Sequence, residues 1–171
     1  RASFAGLVPH LKSTFRCISY DLRGHGVSPT PRPPYTLEDL VEDLEALRAE
    51  LGIEKAHFAG HSLGGMIGPA YALKYPQHVL TLGLWSTAAF RTEDDSAKVK
   101  GVVAAMRVKG IPQVLETLKD RWFTPEFGQR RPDVIERRMQ QVIDTDPEVF
   151  LSVFDIYAET EMAPWQIGRA H

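Results

Sequence analysis

Apolar residues return every three or four positions across residues 36–51, at Leu37, Leu40, Val41, Leu44, Leu47 and Leu51. This spacing draws a single stripe on a 3.6-residue period and predicts an amphipathic helix. Thr36 with Asp39 resembles a capping box with a shorter acid than the usual Glu, and Gly52 supplies a stop. The pattern then shortens. Residues 55–59 form an apolar run predicted as a strand, helical spacing returns over 66–75 until Pro76, and residues 79–85 predict a second buried strand. Upstream, residues 4–11 show a loose helical spacing that runs through Pro9, and 15–20 predict a further strand. Between that strand and the helix at 36–51 lie Gly24, Gly26, Pro29, Pro31, Pro33 and Pro34, which forbid regular pairing and predict a long loop. Strand, helix, strand, helix, strand is the alternation of a parallel sheet flanked by helices, and the fold class is α/β.

After Ser86 the texture changes. From Arg91 to Ala163 no good strand is present, and helical segments are predicted around 97–109, 112–121, 133–144 and 147–157. Pro112, Pro132 and Pro147 sit near helix starts, where a missing N–H does no harm. The expected organisation is a core over 1–90, a helical insertion over 91–165, and a candidate non-native tail over 166–171, whose text is unlike the helices before it.

Composition narrows the classes. The 171 residues are 43% hydrophobic and 25% charged, which fits a globular domain with a real core. A net charge of −2 gives no basic field, so no nucleic-acid partner is expected. No apolar run is long enough to span a bilayer, and no membrane partner is expected. The single cysteine, Cys17, cannot form an intramolecular disulfide and is expected to pack as a small apolar side chain, which favours a cytoplasmic setting.

The chemistry concentrates in Gly60-His61-Ser62-Leu63-Gly64-Gly65. Glycines two before and two after one serine, between a strand and a helix, form the G-x-S-x-G nucleophile elbow. Small neighbours let the chain turn sharply and leave the Ser62 hydroxyl exposed. The bland alternative is a plain turn serine. A serine hydroxyl needs a base to take its proton and N–H donors aimed at the oxyanion. Leu63, the residue after the nucleophile, is expected to give one such donor from its backbone N–H. His78 follows Pro76 at the far end of the elbow's helix and is a poor base by geometry. His171 is terminal. Asp94 and Asp95 are expected to be solvated carboxylates, and His25, His61 and Asp21 to be structural.

Several of these motifs together resemble the α/β-hydrolase superfamily. Tyr20-Asp21-Leu22-Arg23-Gly24-His25-Gly26-Val27-Ser28 resembles the segment after its fourth strand, and Gly60-His61-Ser62 is the elbow form of its esterase-like members. Arg121-Trp122-Phe123-Thr124-Pro125-Glu126-Phe127 resembles the cap segment of 3-oxoadipate enol-lactonases, and Thr145-Asp146-Pro147 is similar too. The resemblance runs to about Trp165. It implies a partial α/β-hydrolase fold with a helical cap insertion. It also implies a serine hydrolase that acts on a small ester or lactone of aromatic catabolism through an acyl-enzyme. No metal or cofactor is implied, and the partner is a small-molecule ester or lactone. Trp85 lines the pocket or fills the core. Trp122 and Phe123 contact substrate or anchor the cap. Arg121 binds a substrate carboxylate or makes a surface ion pair. The family's oxyanion-hole loop, acid and histidine have no counterpart here, so the chain resembles an internal fragment, expected to be inactive and poorly stable alone. The alternatives are a serine-using haloperoxidase-like or carbon–carbon-bond hydrolase, and a non-catalytic binding member of the fold.

Overall fold

The leucine stripe folds as α2 (Leu37–Glu50), which buries Leu40 and Val41 almost completely. The structure is a computed structural model that describes residues 4–87 and 91–160. A one-turn helix, α1 (Val8–Leu11), precedes α2. After α2 come β1 (Ala56–His61), α3 (Gly64–Lys74), a 3-10 turn (Pro76–His78) and β2 (Val79–Trp85). β1 and β2 pair in parallel, with Phe58 opposite Leu82, Gly60 opposite Leu84 and His61 opposite Trp85. A parallel pair needs a crossover, and α3 is that crossover. It covers one face of the sheet, where Tyr71 meets the Phe58 ring at 4.9 Å. On the other face His57 Nδ1 and Thr81 Oγ1 are 2.9 Å apart, and Phe15 stands edge-on to His57.

The strand expected over 15–20 is not formed. Residues 16–22 carry no regular secondary structure, and the ladder among the described residues has two strands. The reason is pairing rather than propensity. A strand lasts only where its N–H and C=O groups find a neighbouring ladder, and among the described residues no strand lies beside this segment. Phe15 and Ile18 are accordingly about half exposed. The helix expected over 4–11 also shrinks to its last turn, with Pro9 in its first turn.

The chain divides into two compact units. The first comprises Arg1–Pro31 and Glu38–Thr87, and the second Arg32–Leu37 and Ala88–His171. In the first, Arg23 fastens the glycine-bearing loop to α2. Its Nε and Nη2 donate to the two oxygens of Asp43 at 2.7 and 2.8 Å, and its Nη1 lies 3.2 Å from Asp39. A planar guanidinium gripping a carboxylate through two bonds fixes direction as well as distance. Nearby, burial and the Asp43 charge push the Tyr20 hydroxyl up to about 12.

A polar cluster joins α2 to α3. Glu45 accepts from Arg48 Nη2 at 2.6 Å and from the buried Tyr71 hydroxyl at 2.6 Å, and Arg48 also reaches the Ile53 carbonyl. The Arg48 guanidinium first, and the Tyr71 hydroxyl after it, hold the Glu45 carboxyl down to about 2 against an ordinary 4.5. A depressed carboxylate stabilises the fold fully above its ordinary value and loses that contribution as pH falls through the folded one. Glu45→Gln is therefore expected to be less stable than wild type near neutral pH. The gap should close between about pH 5 and about pH 2. Urea midpoints across that range are the check, and a gap independent of pH would refute the assignment.

The second unit is helical. It contains α4 (Glu93–Lys109), α5 (Ile111–Trp122), α6 (Pro125–Arg130), α7 (Pro132–Ile143) and α8 (Pro147–Glu159). The apolar faces of α4, α5, α7 and α8 enclose Met106, Ile111, Val114, Leu115, Leu118, Ile135, Met139, Val142 and Phe150. Residues 32–37 belong here because the Tyr35 N–H donates to the buried Ser152 hydroxyl of α8 at 2.6 Å. No helix among the described residues is long and apolar enough to cross a membrane. The candidate tail at 166–171 and the end of the expected insertion lie outside the described residues.

Candidate active site

β1 ends at His61 and α3 begins at Gly64, so Ser62 and Leu63 make the turn between them. Ser62 has φ 54°, in the left-handed region. A side chain there costs about 1–2 kcal/mol, and the surrounding structure must hold it in place. Two backbone hydrogen bonds do so. The Ser62 N–H donates to the Trp85 carbonyl at 3.0 Å, which ties the turn to the end of β2. The Gly65 N–H donates to the Ser62 carbonyl at 2.9 Å, which opens the helix.

The glycines of the motif differ in what they permit. A methyl group on Gly60 would overlap the Gly64 carbonyl and come within 2.7 Å of Gly65 N. One on Gly65 would lie 2.5 Å from Thr87 Cβ and 2.7 Å from its Oγ1. One on Gly64 would meet nothing within 4 Å. The sharp reversal thus depends on bare backbone at Gly60 and Gly65. The spacing rule that singles out Gly60 and Gly64 locates the turn but misplaces one of its two steric demands.

Leu63 already has helical backbone, with φ −55° and ψ −37°, and its side chain is buried. Its carbonyl accepts from Met66 and Ile67, whereas its own N–H has no acceptor among the described residues. That N–H stands at the start of an 11-residue helix, where free donors and the helix dipole favour negative charge. A serine oxygen and an unpaired N–H on adjacent residues are the minimum that acyl transfer requires of a turn.

The other candidate residues are distributed as follows. Trp85 closes β2 opposite His61 and is 49% exposed. Arg121 and Trp122 end α5, both exposed. Phe123 stacks on Phe127 at 5.7 Å and packs against the helical core. No histidine among the described residues is hydrogen-bonded to Ser62. His25 Nδ1 is 3.0 Å from the Arg23 carbonyl, and His78 Nδ1 is 2.8 Å from the Glu54 carbonyl at the far end of α3. His171 lies outside the described residues. Asp94 pairs with Lys98, and Asp95 closes a capping box with Thr92 at the start of α4.

Two residues beside the turn escaped the sequence reading. Ser86 also has positive φ, 49°, directly after β2. Thr87 packs against Gly65 with its hydroxyl buried and without a hydrogen-bond partner among the described residues. A Ser-Thr pair after a strand carries no local signal for either property. Only the close approach of Gly65 reveals it.

Comparison with known proteins agrees with this geometry. The sequence profile described as alpha/beta hydrolase fold matches residues 1–118. The chain is 30% identical over 157 residues to 3-oxoadipate enol-lactonase 2 of Acinetobacter baylyi, covering 92% of this chain and 58% of that protein. It superposes on the crystal structure of the enol-lactonase from Burkholderia xenovorans LB400 with a TM-score of 0.83 at 29% identity, covering 95% of this chain and 62% of that one. A hydrolase from Pseudomonas aeruginosa gives a TM-score of 0.79 at 31% identity, covering 94% and 60%. The chain thus spans about 58% of the length of the Acinetobacter lactonase. With a parallel β-α-β unit, a strained serine at its turn and a profile match over most of its length, the chain belongs to the alpha/beta hydrolase fold family.

Proposed function

We propose that Ser62 is the nucleophile of a hydrolase that cleaves a small ester or lactone. The observation that carries this reading is the left-handed backbone of Ser62 between β1 and α3, next to a Leu63 N–H that has no acceptor among the described residues. The Ser62 oxygen adds to the carbonyl carbon while a base takes its proton. The Leu63 N–H stabilises the resulting oxyanion. Collapse of that intermediate expels the alkoxide, which takes up the proton and leaves an acyl group on Ser62. Water then adds to the acyl-enzyme and releases the acid, restoring the hydroxyl. From a lactone, acid and alcohol remain one molecule. No metal or cofactor takes part.

In this reading the base, its orienting acid and a second oxyanion donor come from parts of the whole protein outside these 171 residues, and the chain alone is inactive. The likeness to enol-lactonases favours a lactone that carries a carboxylate. Trp85, which closes β2 beside the Ser62 turn, is the side chain we assign to substrate. Phe123 we assign to anchoring the helical cap, 91–165, because of its stacking on Phe127.

A fluorophosphonate probe tests the nucleophile. The whole protein should be labelled stoichiometrically, and Ser62→Ala should abolish labelling. The 171-residue chain, without a base, should react at least about 100-fold more slowly. Undiminished labelling of Ser62→Ala would remove the proposal.

A further inference from the structure

We infer that the groove between α4 and α5 is a binding site for a small organic carboxylate with an apolar body. It lies wholly within the helical unit and does not depend on the reading of Ser62. The cavity holds about 350 Å³, at the lower end of the range for small-molecule sites. Val102, Ala105 and Val114 give it an apolar floor, and Lys98, Lys109 and Arg121 stand around it. Among the described residues no carboxylate lines it. Lys98 pairs with Asp94 outside the groove, while Lys109 and Arg121 make no hydrogen bond or ion pair among the described residues.

The arrangement of charge selects the occupant. α4 and α5 meet at Gly110, so Lys109 belongs to the joined ends of the helices and Lys98 and Arg121 to the far ends. Lys98 and Lys109 are 11 residues apart on one helix, roughly 16 Å along its axis. An apolar floor with a cation at either end matches an aliphatic or aromatic body that carries a carboxylate at one end. A neutral apolar ligand leaves the cations unused, and a bare anion leaves the floor wet.

Gly101 supplies a separate argument. It lines the groove in the interior of a 17-residue helix, where glycine is unfavourable, yet a methyl group there would meet nothing within 4 Å. No contact among the described residues calls for glycine at this position. What glycine does provide is depth in the groove.

The test is a titration of the whole ¹⁵N-labelled protein with hexanoate, hexan-1-ol and acetate, followed by amide shifts. Hexanoate should give saturable shifts centred on Gly101, Val102, Ala105 and Thr117. Hexan-1-ol should bind about fivefold more weakly, for loss of one exposed charge contact, and acetate, four methylenes shorter, at least about tenfold more weakly. Gly101→Leu should abolish the response. Lys109→Glu, an exposed position with its own readout, should weaken it about fivefold. Far-UV dichroism establishes that each variant is folded. The inference is overturned by absent or scattered hexanoate shifts, by either control binding as tightly as hexanoate, or by unchanged binding in both variants.

Discussion

Gly60→Ala is expected to cost about 3 kcal/mol or more and to destroy the turn that presents Ser62, whereas Gly64→Ala is expected to be neutral or mildly stabilising. The two glycines flank the same serine symmetrically in sequence. At Gly60 a methyl group runs into the Gly64 carbonyl, and backbone cannot rotate aside as a side chain can. Relief requires β1 and α3 to separate. That separation breaks the contact of Phe58 with Tyr71 and the hydrogen bond from Ser62 to the Trp85 carbonyl. At Gly64 the methyl group points into open space in the first turn of a helix, where alanine is preferred by about 0.5–1 kcal/mol. Chemical denaturation of both variants, with fluorophosphonate labelling of the whole protein, separates them. Equal destabilisation of the pair would contradict the geometry.

Leu115→Ala is expected to remove about 3 kcal/mol of stability, and Leu115→Met less than about 1.5. Leu115 is 1% exposed on α5 and sits among Met106, Leu118, Ile135, Met139 and Val142, side chains from three helices. Truncation removes transfer energy and leaves a hole that these helices can close only by tilting together. Methionine keeps the volume and bends to fit. With total stabilities of only about 5–15 kcal/mol, an alanine loss of this size consumes much of the helical unit's margin. A loss below about 1 kcal/mol for alanine would mean that the cluster is not packed as described.

The sequence resolved those parts whose signal is local. β2 runs from Val79 to Trp85 as its apolar pattern predicts, and α2 follows the leucine stripe within a residue of the expected ends. The serine of the elbow was legible because a tight strand-to-helix reversal leaves few residue types to choose from. What escaped depends on partners distant in sequence. Residues 15–20 have the composition of a strand, but composition cannot supply a neighbouring ladder. α4 starts at Glu93, earlier than the apolar spacing suggests. Its signal was nevertheless present, since Thr92-x-x-Asp95 is a capping box that reads as a run of solvated acids until Thr92 accepts from the Asp95 N–H. α6 has six residues, too few to show a period, and rests on the Thr124 cap. The distinction between Gly64 and Gly65 is a matter of what Thr87 touches, and no spacing rule contains it.

The hydrogen bond from the Tyr35 N–H to Ser152 spans 117 positions. It makes the helical unit discontinuous along the chain, with one short segment made before the β-α-β unit and the rest after it. During synthesis the segment at 32–37 therefore leaves the ribosome long before α8 exists to receive it. The β-α-β unit can form from contacts close in sequence, while the helical unit must wait for its last described helix and then close a loop of more than a hundred residues. Non-local closure of this kind is slow and leaves apolar faces uncovered in the interval. The order of folding is thus written into which unit owns Tyr35.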